Sequence, residues 1–308
     1  MTPLFTAPRS FLDLPAGLPG PGCRAAILGV PFDCGTHPFR VGARQGPDAV
    51  REQSPLVRRF HPSLADLDIL AAMRVVDCGN VALTPGRIED ALPRIEAAAG
   101  EILDRGAVPV GIGGDGSISL ALMRAAGRRH PGMVALHVDS HTDAYAYTAE
   151  DKFNAATQFT HAAEEGVVDA ARSWHVGVRG FTMVEGVIGQ TTGLGFRVVT
   201  IETLVQRGFA QCMAEFREHL GGRPLYLCWD MDVFDPSVAP GVCTPAWGGL
   251  TAREGITLIR TLTGMNIVAM DFNTVSPPQD VNGMAASLCA HMIMEGMVLL
   301  ARQCGMVG

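Results

Sequence analysis

The chain has 308 residues, of which 47% are apolar and 18% charged, with a formal net charge of −7. That length suits one large α/β domain with a sizeable core, and the composition excludes a disordered chain. The mild acidity argues against a nucleic-acid surface or an anionic membrane as partner.

In chain order, the hydrophobic pattern predicts short apolar strands alternating with longer helices. A strand over Arg24–Val30 is followed by a Gly/Pro loop and a helix near Pro47–Arg59. Arg74–Asp77 reads as a short strand, and Ile88–Arg105 as a helix ending at Gly106. Strands over Ala107–Ile112 and Met133–Val138 flank a helix over Ser117–Arg128. A helix over Ala156–Glu165 precedes strands over Ser173–Val178 and Phe196–Thr200. Next come a helix over Phe209–Leu220, a strand over Pro224–Trp229, a helix over Thr251–Leu262 and a strand over Asn266–Phe272. Gly283–Cys304 forms a closing helix. Several strands are apolar throughout, which belongs to parallel sheets covered on both faces. The expected fold is therefore α/β, with helices on each side of a mainly parallel sheet. Residues 1–22 read as an N-terminal extension and 23–308 as a single domain.

Met1–Pro21 is rich in Pro and Gly and lacks the basic stretch and apolar core of a signal peptide. No run approaches the ~20 apolar residues of a membrane helix. Eight cysteines include no C-x-x-C pair, so buried, reduced thiols are expected, in keeping with a cytoplasmic protein.

Two strand ends carry the chemistry. Met133–Val138 runs into Asp139-Ser140-His141-Thr142-Asp143, and Leu225–Trp229 into Asp230-Met231-Asp232. Side chains two apart on an extended chain point the same way, so each motif presents its donors together. In parallel sheets that carboxyl edge is where ligands bind. Four carboxylates brought side by side repel unless a cation sits among them. Oxygen-rich shells with an imidazole suit manganese, and nickel or iron less specifically.

These motifs, with Gly29-Val30-Pro31-Phe32-Asp33, Gly42-Ala43-Arg44-Gln45-Gly46-Pro47, Gly111-Ile112-Gly113-Gly114-Asp115 and Val176-Gly177-Val178-Arg179-Gly180, resemble the ureohydrolase family of agmatinases and arginases, the agmatinase branch most closely. Asp232-Val233-Phe234-Asp235-Pro236, Ala239-Pro240-Gly241 and Gly248-Gly249-Leu250-Thr251 extend the resemblance over nearly the whole chain. It implies a three-layer α/β/α fold, assembly into trimers or hexamers, and hydrolysis of guanidino or amidino C–N bonds at a two-manganese site, nickel in some members. The metal ligands it implies are Asp139, His141, Asp143, Asp230 and Asp232. Asp33, Gly35 and Arg44 fall in loops that, by the same resemblance, approach the substrate cleft.

Three positions depart from the family pattern. Gly116 stands where the family carries a sixth, histidine ligand. Ala155 stands at the usual proton-carrier position, leaving the catalytic residue unknown. Thr274 replaces the glutamate that binds a guanidinium, and can offer a substrate only a neutral hydrogen bond. One metal position (Asp139, His141, Asp230, Asp232) is complete and the other is damaged, so one ion per chain or none is expected. Two main readings follow: a non-catalytic, auxiliary subunit that assembles with an active paralogue, as in two-subunit members such as metformin hydrolase, or an active metal-dependent amidinohydrolase with a non-standard substrate. A metal-free ligand-binding or structural module is a third. Asp115 is expected to cap the helix after it, and His137 to be a core histidine. His161 is expected at a surface or interface, Trp174, Trp229 and Trp247 in packing, and the methionines of Met284–Met297 on core or interface faces.

Overall fold

Eight parallel strands form one sheet in the computed structural model, which describes residues 9–34, 37 and 39–307. The strands are β1 (Ala25–Gly29), β2 (Val76–Asn80), β3 (Val108–Ile112), β4 (Val134–Val138), β5 (Trp174–Val178), β6 (Arg197–Thr200), β7 (Leu225–Asp230) and β8 (Ile267–Asn273). They lie in the order β2-β1-β3-β8-β7-β4-β5-β6. The helices are α1 (Gly46–Gln53), α2 (Ile69–Ala72), α3 (Ile88–Asp104), α4 (Ser119–Arg129), α5 (Gln158–Glu164), α6 (Val187–Gly193), α7 (Ile201–Arg207), α8 (Phe209–Leu220), α9 (Ala252–Arg260) and α10 (Met284–Gln303).

Each strand feeds two cores because successive side chains point to opposite faces. On β7, Leu225, Leu227 and Trp229 enter one core with residues of α1, α2 and α7–α10. Tyr226 and Cys228 enter the other with α3, α4 and α5. This is the expected three-layer α/β/α arrangement, and it explains why β1, β4, β5, β7 and β8 are buried at every residue.

Local sequence sets the helix ends. α1 stops at Gln53, short of the expected Arg59, because Pro55 lacks an N–H and the chain tightens into a 3₁₀ turn over Ser54–Leu56. α9 opens on a capping box in which Thr251 accepts the Glu254 N–H and Glu254 accepts the Thr251 N–H. Phe11, Leu12 and Leu14 ahead of β1 are buried in the same core as α10, and the Phe11 N–H donates to Asp77 at 2.8 Å.

α10 corrects one expectation. Its 20 residues are long and apolar enough to cross a membrane by length and composition. Its faces pack instead against α1, α2, α9 and β8. Met292, Met294 and Met297 are core residues, whereas Met284 at its start is exposed. Glu295 is its one buried acid, held by Arg260 of α9 and facing His291. Burial opposes its charge, but the neighbouring His291 and the hydrogen bonds from Arg260 outweigh it and bring the carboxyl down to about 2. A depressed carboxyl contributes stability above its unfolded value near ~4.3 and loses it as pH falls toward the folded value. Arg260 is half exposed, so solvent screening limits the term to about 1 kcal/mol. Urea unfolding at pH 5 and pH 2 should therefore show the native chain losing about 1 kcal/mol more than Glu295→Gln. Equal losses would dismiss the pair as a stabilising link.

Candidate metal centre and cleft

The two acidic motifs meet because β4 and β7 are neighbours in register, with Val138 opposite Trp229. Asp139 follows β4 directly and Asp230 ends β7, so both carboxylates emerge at the same sheet edge. β8 lies on the other side of β7 with Asn273 opposite Asp230, which brings Thr274 next to the centre. β3 pairs with β8, and the turn after it is tied in by Thr274 N–H donating to Gly114 O at 2.6 Å. Only glycine fits at 114, where a Cβ would lie 1.5 Å from the Phe32 carbonyl oxygen.

Asp139, Asp143, Asp230 and Asp232 are all buried, and His141 is half-buried at the edge of a cleft of about 620 Å³. His141 Nδ1 faces Asp232 Oδ2 at 3.0 Å and Asp139 Oδ1 at 3.3 Å. Asp232 Oδ1 accepts from the Ser140 hydroxyl at 2.7 Å and its N–H at 3.1 Å. The Asp232 N–H in turn donates to Asp230 Oδ1 at 2.7 Å. His137 Nε2 lies 2.8 Å from Asp139 Oδ2, though not aligned to hydrogen-bond it, and its Nδ1 meets His175 Nδ1 at 2.9 Å. His137 is thus a core histidine that backs the centre.

Crowding sets the proton affinities. Burial, then the Asp139 charge, pushes Asp143 well above the usual carboxylate range. Burial, then Asp232 and Asp139, does the same to Asp230. Burial works against the charge on Asp139, but His137 and His141 hold it well below that range. Burial also opposes a charged His141, which Asp232 and Asp139 nevertheless hold well above an ordinary imidazole.

Two groups of side chains lie close enough together to share a cation, Asp139–His141–Asp232 and His137–Asp139–Asp143. Ligand atoms of Asp139, His141 and Asp232 all lie within 4.8 Å of one another, and the buried Asp139 Oδ2 has no hydrogen-bond donor. Hard oxygen donors with one imidazole are a suitable shell for a divalent first-row ion. At the second position Gly116 supplies no donor. There Asp143 Oδ2 accepts the Gln158 amide at 2.6 Å, and Asp230 Oδ2 accepts the Thr274 hydroxyl.

Other expectations meet mixed outcomes. Asp115 caps the 3₁₀ turn that leads into α4, accepting the Ser117 N–H at 3.1 Å. It also accepts the Cys34 N–H at 2.6 Å. Asp33 accepts the Arg44 N–H at 2.9 Å and its Nε at 2.9 Å; Gly35 lies outside the described residues. Ala155 lines the cleft. His161 is not at a surface: it is buried, because its Nε2 meets the Lys152 carbonyl at 2.6 Å and its ring packs on Tyr147 and Phe153. Trp174 and Trp229 are core residues, but Trp247 is 77% exposed. Its loop is held by its backbone, with the Trp247 carbonyl accepting from Arg179, so the ring itself is turned outward. Of the eight unpaired cysteines only Cys23, Cys212, Cys228 and Cys289 are fully buried. Sequence reasoning missed Gln158, Ser140 and the role of Arg179. Gln158 lies one turn beyond the substituted Ala155, a coincidence that marks the pair only once α5 is placed beside Gly116.

An α/β/α sheet with a cation-ready acidic cluster at its carboxyl edge defines the class of fold. The arginase family model matches residues 23–299. The chain is 37% identical to a guanidinopropionase of Pseudomonas aeruginosa over 303 residues, covering 97% of this chain and 93% of the relative. It is 34% identical over 293 residues to a human mitochondrial guanidino acid hydrolase, covering 95% and 83%. The solved structure of a proclavaminate amidino hydrolase from Streptomyces clavuligerus superposes with a TM-score of 0.91 at 31% identity, covering 98% and 99%. The chain belongs to the arginase (ureohydrolase) family and is agmatinase-like.

Proposed function

We propose that this chain is the auxiliary subunit of a heteromeric guanidino- or amidino-C–N hydrolase. It keeps the family fold, the cleft and one cation position, and leaves the hydrolytic step to a paralogous subunit in a trimer or hexamer. The supporting observation is that Gly116, Ala155 and Thr274 all line the one cleft, so the sixth ligand, the proton carrier and the guanidinium anchor are lost together. Asp139, His141, Asp230 and Asp232 would hold the cation, manganese or nickel. When bound, that ion supplies positive charge that polarises a guanidino or amidino group. Thr274 offers a substrate a neutral contact, and Ala155 moves no proton. Relatives named for guanidino acids support that substrate class for the assembly. Eight unpaired thiols fit a reducing compartment, the cytoplasm.

Purification settles the reading. The chain alone should release no urea or amine from guanidino compounds, and should co-purify with a homologue carrying histidine at the position of Gly116. A homo-oligomer that turns over substrate unaided overturns it. That result would establish the second reading, an amidinohydrolase working with one cation, which the open cleft and the complete Asp139–His141–Asp232 set favour.

A further inference from the structure

Gln158 is buried at the start of α5 and points into the acidic cluster. Its Nε2 donates to Asp143 Oδ2 at 2.6 Å, while its buried Oε1 has no hydrogen-bond partner. An unsatisfied buried amide oxygen is costly, so the side chain is held in place by what its other end does. A Cβ built on Gly116 would lie 2.6 Å from that Nε2 and 3.1 Å from Asp143 Oδ2. The amide therefore fills the space that any side chain at residue 116 would enter.

Thr274 closes the opposite side. Its hydroxyl donates to Asp230 Oδ2, and its N–H to Gly114 O. Its φ of 75° is an outlier for a β-branched residue, and such strain persists only where surrounding contacts enforce it. Two neutral donors thus cap Asp143 and Asp230, the two carboxylates that, with Asp139, remain at the damaged position.

We propose that Gln158, assisted by Thr274, stands in for the second metal ion and locks this centre into a one-cation state. The assignment rests on the one-cation reading of the site given above. It has a consequence that the loss of a ligand alone lacks. Restoring histidine at residue 116 does not restore the second ion, because the Gln158 amide occupies the ring's path. Removing the amide together with the glycine does.

The test counts ions in the full-length chain after equilibration with excess Mn²⁺, by elemental analysis and by electron paramagnetic resonance of spin-coupled manganese pairs. The native chain and Gly116→His should each hold about one ion, and Gly116→His/Gln158→Ala about two, with a coupled-pair signal in the double variant and in neither of the first two. A second, isosteric probe guards against a misfolded double variant. Gln158→Glu turns the amide donor into an anionic ligand and should by itself raise the count toward about two. Two ions in Gly116→His alone overturn the proposal, as does an unchanged count in both the double variant and Gln158→Glu. A native chain without any ion removes the one-cation reading. The role of Gln158 then stands if the double variant gains an ion over Gly116→His, and falls if it does not. Turnover by the chain alone would refute the auxiliary assignment without altering these counts.

Discussion

Asp139→Asn is expected to weaken Mn²⁺ binding by about a hundredfold or more while leaving the ion-free protein as stable as the native chain, or more so. Asp139 is the carboxylate on which the centre converges. One oxygen faces His141 and accepts its N–H at 2.5 Å, and the other has no hydrogen-bond donor. Asparagine keeps the shape but turns an amide N–H or a neutral oxygen toward the cation. Without the ion, the same change removes the charge that helps push Asp143 and Asp230 up, a relief of repulsion that offsets the lost attraction between Asp139 and His141. Binding falls while ion-free stability holds, which separates a ligand from a structural acid. Bound ion at a hundred times its Kd stabilises the native chain by about 2.7 kcal/mol, so the thermal shift caused by Mn²⁺ should vanish in the variant. A Kd within about threefold of the native chain would remove Asp139 from the ligand set.

The strands were legible because burial on both faces leaves an unbroken apolar signature, as in Leu225–Trp229. The acidic motifs were legible for a related reason, since a charged cluster directly after such a run has no place in a core. Short helices were not. α6 carries two glycines and two threonines, and α2 spans one turn, so neither has a periodicity long enough to read. α7 owes its start to Thr200, a single capping residue that accepts the Thr203 N–H. The three losses at Gly116, Ala155 and Thr274 could be read against a family pattern, but what fills the resulting space could not. Gln158 is one polar residue at a helix start, a position where polar side chains are common. Its meaning comes from a contact between segments 42 residues apart, and no local pattern records such a contact. The same holds for Trp247 and His161, whose exposure and burial depend on loops held by backbone carbonyls.

Those loops lead to a second large effect. Arg179→Ala is expected to destabilise the chain by about 4 kcal/mol and to weaken Mn²⁺ binding by about 10–100-fold, although Arg179 is itself a cation near the site. Its guanidinium is buried and spans the loop that follows the D-x-D motif. Nη2 donates to the carbonyls of Asp232 at 2.8 Å, Ala246 at 2.7 Å and Phe234 at 3.2 Å, and Nε to Trp247 at 3.3 Å. Glycine at 249 leaves room for this fork, since a Cβ there would lie 2.3 Å from Nη2. Truncation strands several buried acceptors, each costing about 1–3 kcal/mol, and frees the backbone that aims the Asp232 carboxylate. Electrostatics alone predicts the reverse, because deleting a positive charge beside an acidic cluster should strengthen cation binding. Arg179→Lys decides between the two. Lysine keeps the charge but cannot reproduce the planar fork. If positioning dominates, Arg179→Lys loses metal affinity nearly as Arg179→Ala does, and denaturant midpoints fall in both. If charge dominates, Arg179→Lys binds as the native chain does and Arg179→Ala binds more tightly. The number of carbonyls shared by one guanidinium favours positioning, so the D-x-D ligands depend on an arginine outside their own motif.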